Sequence, residues 1–193
     1  MSFTIPDRLI GPFVALVLFY RRIHYGYPFR RIQLTQGKYA IVDPEDYEPL
    51  NKHKWYACKS KNTYYAVRTT KTGKKRLYIK MHREIIDPPK HLLIDHINHN
   101  GLDNRKANLR LATHSQNCCN RTYVKQKNSS SKYKGVTWHK HRKIWQVRIG
   151  LNGQRKTVGL FHDEIEAARA YDEAARRHHK EFAVTNFPVS QSR

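Results

Sequence analysis

A basic, serine-rich stretch over residues 121–132 restricts the fold of this 193-residue chain more than any other feature. It contains the run Ser129-Ser130-Ser131 and has no hydrophobic period, which is typical of a linker. We take residues 123–131 as the linker proper and expect it to be flexible when no partner is bound. The segments on either side are short, so the chain is expected to form two small domains instead of one large core.

The segment before the linker begins with a β-rich region. Aromatic and β-branched residues predict strands at residues 38–43, 55–58, 64–69 and 76–81, with a turn at 43–46 and a hairpin turn at Thr72-Gly73. This region is basic, and alone it predicts only a small, positively charged sheet.

Residues 1–32 have no assigned role. Their apolar run, residues 13–20, is far shorter than the roughly 20 residues of a membrane span. Arg21 and Arg22 end the run, and no small-residue cleavage site follows, so a signal peptide is not expected. Three interpretations stay open for the run: a buried strand, a buried helix, or an upstream extension outside the functional core.

Residues 92–117 have the pattern of a strand, a loop, a second strand and a helix. The first strand ends in the polar pair Asp95-His96, and the loop over residues 98–108 is rich in Asn, Asp and Gly. After a short second strand, the sequence Thr-His-Ser-Gln at residues 113–116 fits a capping box. A helix is therefore expected to begin there and to carry Asn117 in its first turn.

Four polar residues of this pattern point to phosphodiester hydrolysis: Asp95, His96, Asn108 and Asn117. Hydrolysis requires a water, a group that takes its proton, and positive charge near the phosphate. An imidazole, whose ordinary pKa lies near neutrality, suits the role of base. Carboxylate and amide oxygens suit a hard cation, either Mg²⁺ or Mn²⁺. Asp95 and His96 diverge at a strand end, and Asn117 on the following helix is placed to supply a second oxygen ligand.

Residues 82–120 resemble the HNH homing endonucleases, in the variant whose last His is Asn. The motifs that carry the resemblance are Asp95-His-Ile-Asn, Leu102-Asp-Asn-Arg and Asn108-Leu-Arg-Leu-Ala-Thr. The resemblance implies that Asp95 and Asn117 bind the metal and that His96 is the general base. It also implies that Asn108 holds the loop and orients His96. His99 departs from the pattern, because relatives usually have a small residue there.

The same residues have an ordinary structural interpretation. In it, Asp95 and His96 form a turn after a strand, while Asn108 and Asn117 are loop and cap residues; the combined spacing favours the nuclease. The other histidines nearby are interpreted as solvated or structural and not as zinc ligands, because no Cys pair accompanies them: His82, His91, His99 and His114. Two arginines are predicted to contact phosphate: Arg83 and Arg105.

The segment after the linker, residues 132–188, predicts a three-stranded sheet and a helix. Strands are predicted at residues 134–138, 145–149 and 156–161, with a hairpin turn at Asn152-Gly153. An amphipathic helix is predicted over residues 163–178, with one apolar stripe formed by Ile165, Ala168, Tyr171 and Ala175.

Residues 132–188 resemble an Apetala/ethylene-response-factor-type DNA-binding domain. The resemblance is carried by Tyr133-Lys-Gly-Val, Trp145-Gln-Val-Arg-Ile, Gly159-Leu-Phe and Asn186-Phe-Pro, and by the Ala-rich helix. It implies that the sheet lies in the major groove with the helix behind it. Alternation directs Trp145, Val147 and Ile149 toward the helix and Gln146 toward DNA. The DNA contacts that the resemblance implies are Lys134, Thr137, His139, Arg148, Arg155 and Thr157.

The chain carries 37 Lys and Arg residues against 15 Asp and Glu residues, a formal net charge of +22. Such an excess requires a polyanionic partner, of which nucleic acid is the commonest. An anionic membrane is the competing interpretation, but here the basic residues are spread along the chain and interleaved with aromatic residues. The three cysteines form no Cys-x-x-Cys pair, which predicts a reducing, cytoplasmic location: Cys58, Cys118 and Cys119.

We therefore predict an α+β protein with a small β-rich N-terminal region, a strand-strand-helix metal motif, and a three-stranded antiparallel sheet packed on one helix. The nuclease domain is placed at residues 33–122, the sheet-and-helix domain at 132–188 and a tail at 189–193.

The predicted function is that of a homing-type endonuclease that uses Mg²⁺ or Mn²⁺ and binds double-stranded DNA, with neither a membrane nor a small-molecule substrate as partner. A monomer would nick one strand, leaving a 5′-phosphate and a 3′-hydroxyl as the resembled family does. A double-strand break would need a homodimer or a second event.

The resemblance also implies a setting in a phage or bacterial mobile element. Two alternatives stay open. One is a non-catalytic, sequence-specific DNA-binding regulator, and the other is an RNA-binding or ribosome-associated protein.

Overall fold

The fold is taken from a computed structural model, which describes residues 13–123, 128–151 and 153–187. Part of the N-terminal extension, the centre of the predicted linker, Asn152 of the predicted turn, Pro188 and the tail lie outside the described residues. The chain divides into two compact units, Met1–Leu111 and Ala112–Arg193. Helices and several small antiparallel sheets occur together, which confirms the predicted α+β class.

The N-terminal unit consists of short elements in chain order. They are α1 (Val14–Tyr25), β1 (Arg30–Gln33), β2 (Tyr39–Val42), α2 (Pro44–Asn51), β3 (Tyr56–Lys59), β4 (Tyr64–Thr72), β5 (Lys75–Lys80), α3 (Met81–Ile85), β6 (Leu93–His96) and β7 (Leu109–Ala112). β1 pairs with β2, β6 pairs with β7, and a three-stranded antiparallel sheet has the order β3-β4-β5.

One apolar core holds the first part of this unit together. Ile32, Val42, Trp55 and Met81 are almost fully buried and belong to one cluster. Burying side chains of this size contributes about 1.5–3 kcal/mol each. The core lies on the side of the β3-β4-β5 sheet that carries Ala57 and Ala66, so the opposite side is left for other contacts.

The predicted turn at residues 43–46 is wrong, because helix α2 begins there. Pro44 occupies the first turn of the helix, where its missing N–H costs nothing, and Glu45 and Asp46 stand where carboxylates favour the positive end of the helix dipole. Tyr47 and Leu50 are buried, which anchors the helix to the core. A helix of only eight residues has too short a period to be distinguished from a turn by its sequence pattern.

The apolar run at residues 13–20 falls largely on helix α1, and this helix is not buried. Phe13, Leu16, Phe19, Tyr20 and Ile23 are each more than half exposed. The buried residue of the helix is Arg21, whose guanidinium donates to the backbone oxygen of Phe29 at 2.6 Å. Within the described residues, every helix is too short or too polar to cross a membrane.

The C-terminal unit contains the predicted sheet and helix. Its elements are α4 (His114–Cys119), β8 (Val136–His139), β9 (Ile144–Leu151), β10 (Gln154–Phe161) and α5 (Glu164–His179), followed by a 3-10 helix (Lys180–Phe182). The antiparallel sheet has the order β10-β9-β8. Val147 and Ile149 pack against Ala168 and Tyr171 of α5, as the alternation predicted. Ile165 is the exception in the predicted apolar stripe, since it is exposed.

Two tight contacts close this unit. Gly135 has a φ of +79°, and a Cβ there would lie 2.0 Å from the ring of Tyr171, so only glycine fits. The buried carboxylate of Asp172 accepts from the backbone N–H of Asn186 at 2.7 Å and of Phe187 at 2.8 Å. The Asn186 side chain in turn accepts from the N–H of Lys134 at 2.6 Å. These bonds join the segment that follows the last strand and helix to α5 and, through Asn186, to the segment before β8.

Helix α4, which is part of the predicted nuclease domain, falls within this compact unit, and the predicted domain bounds stay a prediction. The ammonium of Lys134 donates to the backbone oxygens of Cys119 at 2.8 Å and Arg121 at 2.9 Å, where a cation satisfies the carbonyls at a helix C-terminus. Part of the predicted linker is also ordered by the unit. The hydroxyl of Ser131 donates to Glu164, and that of Ser130 accepts from the N–H of Trp138.

Candidate active site and nucleic-acid interface

His96 is the last residue of β6 and is 6% exposed. Its ring packs between two other rings, with centroid distances of 5.0 Å to His82 and 5.7 Å to Tyr65. His82 and Tyr65 also contact each other, at 5.6 Å. Because β4 supplies Tyr65 and α3 supplies His82, three elements fix the orientation of one imidazole.

Burial lowers the pKa of His96 below its ordinary value. The Asn104 side chain interacts with the imidazole, and together with the charges of Asp95 and Asp103 it opposes that effect without cancelling it. The imidazole is therefore neutral at physiological pH. A neutral imidazole has a lone pair with which to take a proton, as a general base requires.

His82 and Asn104 are two residues of this site to which the sequence assigned no role in it. His82 was interpreted as solvated or structural; it is 5% exposed, and burial, with the charge of His96 as the next cause, lowers its pKa to about 3. Asn104 is fully buried. One sequence signal indicates that His82 is buried. His82 directly follows the apolar Met81 at the end of a strand, where a buried side chain is expected.

Asp95 lies beside His96 and is also buried. The guanidinium of Arg110 on β7 binds its carboxylate, with 2.8 Å from Nε to Oδ2 and an Nη2 contact to the same oxygen. The Arg110 side chain is mostly buried as well. A buried carboxyl group at the end of a strand suits a hard cation, which in this protein would compete with Arg110 for Oδ2.

The loop between β6 and β7 is held by side-chain amides and carboxylates. The Asn108 side chain accepts from the N–H of Asn98 at 3.0 Å and donates to the backbone oxygen of Asp103 at 2.8 Å, so it ties the two halves of the loop together. The further role predicted for Asn108, orienting His96, stays a prediction. His99 in this loop has a φ of +63°, a left-handed conformation that glycine adopts more easily than other residues.

Arg105, predicted to contact phosphate, has partners within the protein. Its guanidinium binds both carboxylate oxygens of Asp103, at 2.8 Å and 2.6 Å, and stacks 3.5 Å above the ring centre of Tyr27. Asp103 itself is 3% exposed. This geometry stabilises the loop, and a phosphate would have to share the guanidinium with Asp103. Arg83 on α3 is exposed.

Asn117 lies on α4, which begins at the predicted place. Thr113 and Gln116 form the capping box, with 3.2 Å from the Gln116 N–H to Thr113 Oγ1 and 2.8 Å from the Thr113 N–H to Gln116 Oε1. This cap fixes the start of the helix. The helix belongs to the C-terminal unit, and the metal-binding role of Asn117 stays a prediction.

Three acidic side chains elsewhere meet the distance requirement for a metal site in the described residues. Ligand atoms of Asp43, Glu45 and Asp46 all lie within 4.8 Å of one another. Lys106 already binds this group, with Nζ 2.9 Å from Asp46 and its backbone N–H 2.7 Å from Asp43. The cluster therefore joins α2 to the segment before β7, and its negative charge is partly balanced by Lys106.

The strand register places most of the predicted DNA contacts on one face of the C-terminal sheet. Thr157 lies opposite Arg148, Arg155 opposite Gly150, and Thr137 opposite Gln146. This face is turned away from the core residues Val147 and Ile149. His139 shares it, because it pairs with Ile144. Lys134 is the exception, since its ammonium binds the end of α4.

Comparison with known proteins decides the family. A family model described as HNH endonuclease matches residues 87–118. An uncharacterized HNH endonuclease of Acanthamoeba polyphaga mimivirus is 34% identical over 157 residues, which cover 78% of this chain and 76% of the relative. The chain belongs to the HNH endonucleases. This endonuclease is therefore an enzyme, and the nuclease predicted from residues 82–120 is confirmed.

The C-terminal part of the HNH endonuclease is similar to plant proteins. APETALA2-like protein 2 of Oryza sativa is 52% identical over 60 residues, which cover 30% of this chain and 14% of the plant protein. The transcription factor RAV1 of Arabidopsis thaliana, whose printed name includes AP2/ERF and B3 domains, is 48% identical over 58 residues, 30% of this chain and 17% of its own length. The likeness therefore concerns one domain of the plant proteins.

Proposed function

We propose that this HNH endonuclease is a metal-dependent, homing-type enzyme that nicks one strand of duplex DNA at a directed position. The observation that carries the proposal is the buried, neutral imidazole of His96 next to the buried carboxylate of Asp95 at the end of β6. A base and an oxygen ligand on adjacent residues are what hydrolysis of a phosphodiester requires.

In the proposed mechanism His96 removes the proton of a water that attacks phosphorus. His82 and Tyr65 keep the imidazole in place and exclude other water from its buried side. Asp95 and Asn117 would hold the divalent cation, Mg²⁺ or Mn²⁺. When bound, this cation supplies positive charge for the pentacovalent phosphorus and the departing 3′ oxygen. The products would carry a 5′-phosphate and a 3′-hydroxyl.

The C-terminal unit is proposed to hold the duplex. The plant relatives include transcription factors by their printed names, and the sheet face with Thr137, His139, Arg148, Arg155 and Thr157 is open and basic. Phosphate contacts from such a face supply affinity, while side chains that reach base edges supply sequence preference. One catalytic histidine in each chain supports nicking, and a double-strand break would require a second chain or a second event.

The genomic setting is part of the proposal. We place the gene in a mobile element, and the relative from mimivirus makes a viral genome the favoured host.

A plasmid-nicking assay tests the proposal. Wild-type protein should relax supercoiled DNA in the presence of Mg²⁺ or Mn²⁺ and should stop when a chelator is added. His96→Ala should lower the rate by at least about a hundredfold, the usual contribution of a general base, while DNA binding persists. His91→Ala is the matched control, because His91 is an exposed histidine outside the site. Equal nicking by wild type and His96→Ala would contradict the proposed mechanism.

A further inference from the structure

The hairpin formed by β4 and β5 has a tip that takes no part in the core. We call residues 69–80 the ribbon. Every residue from Lys71 to Tyr78 is exposed, and Tyr78 and Leu77 are 67% and 45% exposed. An exposed tyrosine beside exposed cations is a combination that suits nucleic acid, since aromatic side chains are enriched where proteins contact partners and can stack on bases.

The charge around the ribbon has one sign. Between Glu48 and Glu84 the sequence contains eleven Lys and Arg residues and no Asp or Glu. Among the residues that the structure describes, Arg68 of this segment is paired with Glu84, whereas no ion pair involves Lys71, Lys74, Lys75 or Arg76. Such a field attracts polyanions and is not neutralised by the protein itself.

The strand register divides these cations between two faces. Lys71 pairs with Arg76, Thr69 with Tyr78 and Val67 with Lys80, so these side chains share one face of the sheet. Lys75 pairs with Thr72 and therefore points to the opposite face. Arg76 and Lys80, four residues apart on β5, are separated by about 13 Å along the strand, with Tyr78 between them.

The first face is continuous with the active site. Tyr65 lies on it, because Tyr65 and Val67 alternate with the core-facing Ala66 on β4. The ammonium of Lys80 lies 4.9 Å from the ring centre of Tyr65, and that ring lies 5.7 Å from the ring of His96. A row of residues thus runs from His96 through Tyr65, Lys80 and Tyr78 to Arg76 and Lys71.

The pairing of Lys71 with Arg76 is unfavourable in the free protein. Like charges directly opposite each other on neighbouring strands destabilise a sheet. A phosphate backbone laid over this face would remove the repulsion and would release the counterions of the DNA. The pairing of Lys71 with Arg76 is therefore more favourable when DNA is bound than in the free protein.

We propose that this face of the ribbon binds the phosphate backbone of duplex DNA and guides the strand to His96. The inference rests on the proposed function, because it takes the His96 site as the place of cleavage. It adds a DNA-binding surface in the N-terminal unit to the C-terminal sheet.

Edge protection is the competing explanation for these charges. β5 is an edge strand, and lysines on edge strands prevent pairing with other chains. Protection of an edge does not depend on the face from which a charge projects. A role in DNA binding does depend on the face from which the charge projects, so an experiment can distinguish the two explanations.

The test compares two double variants of the full chain that each remove two positive charges from the same sheet. Lys71→Gln/Arg76→Gln changes the proposed DNA face, and Lys59→Gln/Lys75→Gln changes exposed residues of the opposite face. Affinity for a mixed-sequence DNA duplex is measured against salt concentration in a His96→Ala background, so that the DNA stays intact.

The first double variant should lower the slope of log affinity against log salt by about 2, or about 0.9 for each lost phosphate contact, and the second should change it much less. In the active protein the first variant should raise KM for plasmid nicking and leave kcat nearly unchanged. Its melting temperature should equal or exceed that of the wild type, because a like-charge pair is removed.

Three results would overturn the inference. They are equal changes of slope in the two double variants, an unchanged slope in the first double variant, or, when duplex RNA is titrated in the same way, a loss of affinity for RNA without a loss of affinity for DNA. Failure of the proposed function is distinguishable: a wild type that does not nick contradicts the catalytic proposal, and the binding slopes still decide whether the ribbon contacts DNA.

Discussion

His82 is the residue whose environment differs most from what the sequence suggested. Its imidazole contacts the ring of His96 and is nearly inaccessible to solvent. With a pKa of about 3, it is neutral in the folded protein at any pH near neutrality. Two cations in contact would repel each other, so a neutral His82 allows His96 to change its charge during turnover.

The first prediction concerns acid stability. The folded protein does not protonate His82 until about pH 3, whereas the unfolded chain does so near 6.5. The unfolded state therefore binds more protons between these values, and stability falls as the pH drops from 6.5 toward 3. Between pH 7 and 5 this group should remove about 2 kcal/mol from the free energy of unfolding.

Urea unfolding at pH 7 and pH 5 measures this effect. His82→Gln should lose less stability on acidification than the wild type, whereas His91→Gln, a change at an exposed histidine, should behave as the wild type does. Identical losses in the wild type and His82→Gln would contradict a buried, neutral His82.

The second residue-scale prediction concerns Arg110. Removing one partner of a buried ion pair costs about 3–5 kcal/mol, because the other charge is left uncompensated. In Arg110→Gln the buried carboxylate of Asp95 loses the guanidinium that binds Oδ2. Mg²⁺ at the proposed site should then replace the missing charge. The melting temperature should rise more on addition of Mg²⁺ in this variant than in the wild type.

Arg68→Gln provides the matched control for Arg110→Gln. Arg68 forms a partly buried pair with Glu84 in the same unit, with Nε 2.7 Å from Oε2. This variant should be destabilised without any additional response to Mg²⁺. If Mg²⁺ shifts all three proteins equally, Asp95 is not a metal ligand.

At the scale of elements, the loop between β6 and β7 lies directly on strand β4. A Cβ on Gly101 would lie 2.5 Å from the backbone oxygen of Tyr64 and 2.6 Å from the ring of Tyr65. The backbone N–H of Gly101 donates to the Thr63 hydroxyl at 2.9 Å. The loop and the strand therefore behave as one element, and the Tyr65 ring that supports His96 is held between them.

We predict that Gly101→Ala slows nicking more than it destabilises the fold. The added methyl group must move the loop or Tyr65, and either shift misplaces His96. A misplacement of about 1 Å can reduce a rate about a hundredfold. Single-turnover nicking and thermal unfolding give the two readouts. Gly150→Ala is the control for the thermal unfolding measurement, because a Cβ there meets nothing within 4 Å. A full rate in Gly101→Ala would show that the contact does not position the site.

Sequence reasoning predicted most elements because period and turn signals were strong. The three strands and the helix of the C-terminal unit, the capping box at Thr113 and the strand that ends at His96 all lie where local pattern placed them. Helix α2 was missed because its eight residues contain Pro44, Asp46 and Pro49, which are ordinary turn residues.

The surroundings of the site could not be read from the sequence. His82, Tyr65 and Asn104 meet His96 through tertiary packing, which no local period encodes. The partners of Arg105 and Lys134 are of the same kind. Arg105 is predicted as a phosphate contact, and Lys134 as a DNA contact that the resemblance implies. Their bonds to Asp103 and to the end of α4 require knowledge of the fold.

At the scale of the whole molecule, the net charge of +22 is spread over both units. We predict that affinity for mixed-sequence duplex DNA falls at least about a thousandfold between about 50 and 200 mM salt, as for proteins with six or more phosphate contacts. Titration at several salt concentrations measures the slope. Duplex RNA of the same length is the comparison, and a tighter, less salt-sensitive affinity for RNA would favour the RNA-binding alternative.

The ribbon and the support of the imidazole are consecutive in the chain. β5 ends at Lys80, α3 begins at Met81, and His82 follows immediately. Lys80, the last residue of the ribbon, is thus two peptide bonds away from His82, whose ring contacts that of His96. We expect DNA binding by the ribbon and catalysis by His96 to be coupled. A duplex that the ribbon binds poorly would then leave the imidazole of His96 less firmly held. Selection for a new target would then alter turnover and recognition together.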